Sequence, residues 1–112
     1  MKTLRNPIAV QDDLSGVRLI GEIDISNVDA FESGLISIAQ WIKKDMVCDC
    51  SELSYIDSKG LGVFAQVHRI LEGRGLRVII CNSKENISKL FKITRLNEKI
   101  CFTNYFDADY YY

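Results

Sequence analysis

Two acidic stretches and one serine carry most of the chemistry this sequence can offer: Gly21-Glu22-Ile23-Asp24 and Tyr55-Ile56-Asp57-Ser58-Lys59-Gly60-Leu61-Gly62. A serine beside an acid can be a nucleophile, an aid to a metal site, a phosphoryl acceptor or simply a helix cap. Hydrolytic chemistry needs a base within reach of the hydroxyl. The single histidine, His68, follows Ser58 by ten residues on the same predicted helix, about 15 Å along its axis. It cannot activate Ser58 within one chain and is expected on the helix surface. Asp24 and Asp57 alone make a poor Mg²⁺ set, because such sites usually add substrate phosphates. They are expected to shape the surroundings of Ser58 and to hold no metal.

The other chemistry-bearing residues fall away on similar grounds. Cys48, Cys50, Cys81 and Cys101 lack the paired spacing of a zinc site. Cys48 and Cys50 share one face of a strand, a poor arrangement for a disulfide. All four read as core thiols. Gly60-Leu61-Gly62-Val63-Phe64-Ala65 satisfies G-x-G-x-x-G/A, yet no acid for a ribose occurs near Ile80 to Asn82. No Walker-type Gly-Lys-Ser/Thr is present. These glycines instead suit the close approach of a partner. The chain is expected to be no enzyme and to carry no cofactor. Ser58 is left as helix cap or phosphoryl acceptor, roles it can hold in turn.

The 112 residues, 47% hydrophobic and 26% charged, with net charge −1, fit one globular domain over 1–112. Basic residues such as Lys43, Lys44, Arg74 and Arg77 are scattered among acids, so a nucleic-acid face is not expected. Ile8-Ala9-Val10 is too short for a signal peptide. No run approaches the roughly 20 apolar residues of a membrane span. A cytoplasmic protein without membrane insertion is expected.

The elements that must position Ser58 follow from hydrophobic period and turn chemistry. Ile8 to Val10 and Val17 to Ile23 read as two strands across a polar turn, with a bulge or close approach at Gly21. Asp24, Ser26 and Asn27 offer caps for a helix whose apolar stripe is Val28, Phe31, Leu35, Ile38 and Ile42. Trp41 lies off that stripe. Met46 to Cys50 is a short strand, Ser51 to Ser54 a turn, and Tyr55-Ile56 a second extended piece. Ser58 opens and caps a helix to about Glu72, closed by Gly73 and Gly75. Leu76 to Cys81 is an apolar strand of the kind buried on both faces. Asn82 with Glu85 reads as a capping pair for a helix with Ile87, Leu90 and Phe91 inward. Ile100 to Phe102 closes the series, and Phe106 to Tyr112 reads as a frayed end or helix stub. Strands alternating with helices predict an α/β domain, a mainly parallel mixed sheet packed against helices.

The segment from Tyr55 to Gly62 resembles the central signature of the STAS family, an Asp-Ser followed by Gly-Leu-Gly. Gly21 to Asp24, Val47 to Asp49, Leu76 to Cys81 and Ile87 to Leu96 resemble four further family stretches in the same order. Members of this size are bacterial anti-sigma-factor antagonists, which act in signal transduction and transcription regulation. The resemblance implies a protein that binds an anti-sigma factor, itself often a serine kinase, while the signature serine is unphosphorylated. Phosphorylation breaks the complex and a phosphoserine phosphatase restores it. It places Ser58 as the acceptor and Asp24, Asp57, Ser58, Lys59, Gly60, Leu61, Gly62 and Val63 at the partner surface. Leu61 and Val63 are expected to supply apolar contact if they are exposed. The other roles known for STAS domains, accessory subunit of a transporter or scaffold of a signalling assembly, need no acceptor at Asp57-Ser58. Two residues depart from the pattern: Lys59 stands where a small residue is usual, and Arg95 where glycine is common. The family's C-terminal helix is expected to be short here.

Overall fold

The structure, a computed structural model, describes residues 8–10 and 16–103. They form β1 (Ile8–Val10), β2 (Gly16–Ile23), α1 (Val28–Trp41), β3 (Met46–Ile56), α2 (Ser58–Glu72), β4 (Val78–Cys81), α3 (Glu85–Ile93), a 3₁₀ turn (Leu96–Glu98) and β5 (Cys101–Thr103). The tail expected from Phe106 onward lies outside the described residues. The sheet order is β1-β2-β3-β4-β5. β1 is antiparallel to β2, and β2 through β5 run parallel to one another. This is the mixed, mainly parallel α/β sheet expected from the alternation of elements.

The strands follow the chain across the sheet, so every crossover moves in the same direction. Parallel crossovers are right-handed, which puts α1, α2 and α3 on one face. Burial agrees with this. The main core joins Val17, Leu19, Ile23, Cys48, Cys50, Val78 and Ile80 of the strands to Phe31, Leu35, Phe64, Leu71, Ile87 and Phe91 of the helices. Val47, Ile79 and Cys81 form a separate buried cluster on the opposite face. A ladder of rings crosses the helix layer, Phe31 to Phe64 at 5.6 Å, Phe64 to Phe91 at 5.3 Å and Phe91 to Phe102 at 5.0 Å between centroids. Tilted and edge contacts of this kind suit aromatic quadrupoles. The ladder ties all three helices to β5.

Several local readings are corrected. Ser51 to Ser54 is no turn: β3 runs unbroken for 11 residues, because β2 supplies partners along it, Ile20 to Glu52 and Gly21 to Leu53. Gly21 does mark an irregularity, with φ +90 and a register shift between Gly21 and Glu22. Asn82 caps nothing. It takes φ 59 at the exit of β4, and α3 starts from Lys84. Cys101 is exposed, whereas Cys48, Cys50 and Cys81 are buried.

Candidate functional site around Ser58

The site lies at the carboxyl edge of the adjacent parallel strands β2 and β3. Ile23 and Ile56 are paired, and the Asp57 amide donates to the Ile23 carbonyl at 3.1 Å. Asp24 and Asp57 are therefore the first residues to leave neighbouring strands at one edge, the place where open parallel sheets present their sites.

Asp24 closes the turn into α1. Its Oδ1 accepts from the Ser26 amide at 2.9 Å and from the Ser26 hydroxyl. The Asp24 amide donates to Asn27 Oδ1 at 3.0 Å, and Asn27 Nδ2 donates to the Glu22 carbonyl at 2.7 Å. The Ser26 hydroxyl, and then its amide, hold the Asp24 carboxyl below its ordinary value of 3.8, since hydrogen bonds to the charged form favour it. Asp24 is thus a fixed anion at the edge of the site.

Asp57, and not Ser58, is the N-cap of α2. Its backbone is extended, φ −95 and ψ −178, and its Oδ1 accepts from the Gly60 amide at 3.0 Å. Ser58 is the first residue of the helix, and it is exposed. Among the described residues nothing hydrogen-bonds its hydroxyl. Lys59 is exposed beside it, with no ion-pair partner among the described residues.

The glycines of the signature differ. A Cβ on Gly60 would sit 2.6 Å from Ile56 Cγ1 and 2.9 Å from Ile23 Cγ2. Gly60 lets α2 start flush against the strand ends. A Cβ on Gly62 meets nothing within 4 Å, and Gly62 is exposed. Leu61 and Val63 are core residues, 4% and 2% exposed. The exposure on which their apolar contact role depended is not met, since both belong to the main core.

One exposed apolar group at this edge escaped the sequence reading. Ile25, next to Asp24, is 77% exposed. The available signal was an isoleucine inside a polar turn and off the stripe of α1. His68 lies deeper than expected: its side chain is 13% exposed, with Nε2 3.4 Å from Glu72 Oε2.

The arrangement fits a dinucleotide poorly. The Gly60 amide, one of the donors a phosphate would need, is taken by Asp57. The sheet order never reverses, so no crevice opens at a switch point. Among the described residues no group of three or more His, Cys, Asp or Glu could hold a metal ion. Among them, too, no helix is long and apolar enough to cross a membrane.

Known proteins are similar to this chain in sequence and in fold. An anti-sigma-B factor antagonist of Staphylococcus epidermidis is 32% identical over 87 residues, 78% of this chain and 81% of its own length. The one from Staphylococcus aureus NCTC 8325 is 31% identical over 88 residues, 79% and 82% of the two chains. An anti-sigma factor antagonist from Mycobacterium paratuberculosis superposes with TM-score 0.74 at 20% identity, over 94% of this chain and 92% of that one. The Bacillus cell fate determinant SpoIIAA in its phosphorylated form superposes with TM-score 0.64 at 23% identity, over 87% and 89%. The STAS domain model matches residues 7–108, and the chain belongs to the STAS domain family.

Proposed function

We propose that this chain is an anti-sigma-factor antagonist, a cytoplasmic binding protein that is switched off by phosphorylation of Ser58. The observation that carries the reading is the exposed Ser58 with its unengaged hydroxyl at the start of α2, flanked by Asp24 and Asp57 at the ends of adjacent strands. The names of the staphylococcal relatives support it. The partner is an anti-sigma factor that is itself a serine kinase, and a phosphoserine phosphatase reverses the modification.

The local energetics suit a switch that leaves the domain folded. A phosphate on Ser58 meets the positive end of α2, which attracts it by about 0.3–2 kcal/mol. Lys59 adds a neighbouring cation. The Asp57 cap already holds the Gly60 amide, so only part of the helix end is open to the phosphate. Asp57 and Asp24 repel it by about 1–4 kcal/mol per close pair. These opposing terms are of similar size. In an interface without a matching cation the added charge costs several kcal/mol, and about 4 kcal/mol is roughly 10³-fold in affinity.

The test compares wild-type, phosphorylated, Ser58→Ala and Ser58→Asp chains. An affinity pull-down first identifies the partner, and thermal unfolding and titration with the purified partner follow. Wild type and Ser58→Ala should bind alike. The phosphorylated form should bind orders of magnitude more weakly, with Tm moved by no more than about 4–8 °C. Equal binding of the phosphorylated and native forms would refute the switch.

A further inference from the structure

We propose that the groove between α1 and α2, which opens beside Ser58, seats a cationic side chain of the anti-sigma partner, and that Lys59 at its rim restricts which partners enter. This rests on the function proposed above and names a part of the interface that the signature residues do not. The groove is an open depression of about 320 Å³ whose walls include Asp29 and Glu32 from α1 and Lys59, Gly62, Val63 and Gln66 from α2. Gly62 follows Ser58 by four residues on α2, so the two are neighbours on one helix face. A partner that covers Ser58 also meets the groove.

Gly62 supplies the first argument. It lies inside a 15-residue helix, where glycine is less stable than alanine. The fold does not require it, since a Cβ would meet nothing within 4 Å. Gly60, two residues earlier, is held by a clash with Ile56 and Ile23. A side chain at Gly62 would narrow the opening.

The chemistry of the walls supplies the second. Val63 closes the bottom of the groove but is 2% exposed, so the contact surface comes from the polar walls. Asp29 is exposed and has no ion-pair partner among the described residues. Glu32 accepts from Gln66 Nε2 at 3.2 Å, a neutral donor that leaves its charge uncompensated. Two carboxylates beside the space that Gly62 leaves open match the cationic head of arginine or lysine. Arginine fits two carboxylates best, because its planar fork offers donors to both. Lys59, the cation on the α2 side, repels such a side chain. It admits only partners that direct the charge toward α1, a repulsive element of the kind that sets specificity.

Titration of the purified anti-sigma kinase, identified by pull-down with the wild-type chain, tests this. Gly62→Ala should unfold at the same temperature as wild type or a few degrees higher, yet bind about tenfold more weakly, a loss of about 1.4 kcal/mol, since the added methyl narrows the opening. Asp29→Asn with Glu32→Gln should also weaken binding, and should flatten its dependence on salt. Lys59→Ala should tighten binding severalfold. Wild-type affinity in both Gly62→Ala and Asp29→Asn/Glu32→Gln, with phosphorylation of Ser58 still abolishing the complex, would overturn the groove and leave the switch standing. A wild-type chain that binds no anti-sigma kinase would overturn the functional reading, and this inference with it.

Discussion

Asp57 and Ser58 divide two tasks that the sequence offers to both. Each is a favoured N-cap, and the choice depends on where β3 lets go. The Asp57 amide is still bonded to Ile23, so Asp57 keeps extended backbone and its carboxylate turns back to Gly60. That register is set by a strand more than thirty residues away. Local pattern therefore placed Ser58 at the start of α2 but misplaced the cap by one position. The difference bears on the proposed switch, because the Ser58 hydroxyl is not engaged in capping. It also separates the two residues by stability. Asp57→Ala should cost about 1 kcal/mol, the usual loss of a cap, and shift Tm down by about 4–8 °C. Ser58→Ala should stay within about 0.5 kcal/mol of wild type, since alanine is the best helix former. Urea unfolding of both variants decides it, and a larger loss for Ser58→Ala than for Asp57→Ala would return the cap to the serine.

Elements with a strong internal period were legible, and those set by distant partners were not. The stripe Val28, Phe31, Leu35, Ile38 and Ile42 is buried as its spacing demands. β4 is buried on both faces, as an unbroken apolar run requires. Ser51 to Ser54, polar and short, gave no sign of the pairing with β2 that keeps it in β3. Arg95 is a subtler case. It stands where the family favours glycine, and its backbone keeps the conformation glycine would serve, φ 64 and ψ 13, in the turn after α3. The Arg95 Nε to Glu98 Oε2 contact at 2.7 Å accompanies that conformation, but an exposed pair adds little. Positive φ costs an ordinary residue about 1–2 kcal/mol, and a β-branched one suffers most. Arg95→Gly should match wild type or exceed it in stability, while Arg95→Val should lose about 1–3 kcal/mol. Equal midpoints for the two variants in denaturant would show that the turn can rebuild itself at negative φ.

At the scale of the molecule, the central strands are buried and β5 lies at the edge of the sheet, and the four thiols report that difference. Cys48 and Cys50 point into the helix-covered core, Cys81 into the cluster on the opposite face, and Cys101 lies exposed on β5. Burial pushes the Cys48 and Cys50 thiols far above their ordinary value of 9.0, and pushes Cys81 up to about 12. A thiolate is the reacting species, so the three buried thiols are protected both by lack of access and by lack of charge. Reagent added to native protein at pH 8 should label Cys101 quickly and the other three only as the domain opens, and denatured protein should label all four at once. The same shifts set the sign of an alkaline effect. A thiol whose pKa is raised by folding favours the folded state below 9.0, because the proton is bound in both states there and the thiolate is never forced into the core. Above 9.0 the unfolded chain loses these protons while the folded chain keeps them, so stability falls as pH rises. Labelling of Cys48, Cys50 and Cys81 should therefore accelerate above pH 9 by more than the reagent's own pH dependence at Cys101. Mass mapping of the labelled peptides at pH 8 and pH 10 reads both effects. Rapid native labelling of Cys48 or Cys50 at pH 8 would mean that the central strand is not held between the helices and its neighbours as the fold requires.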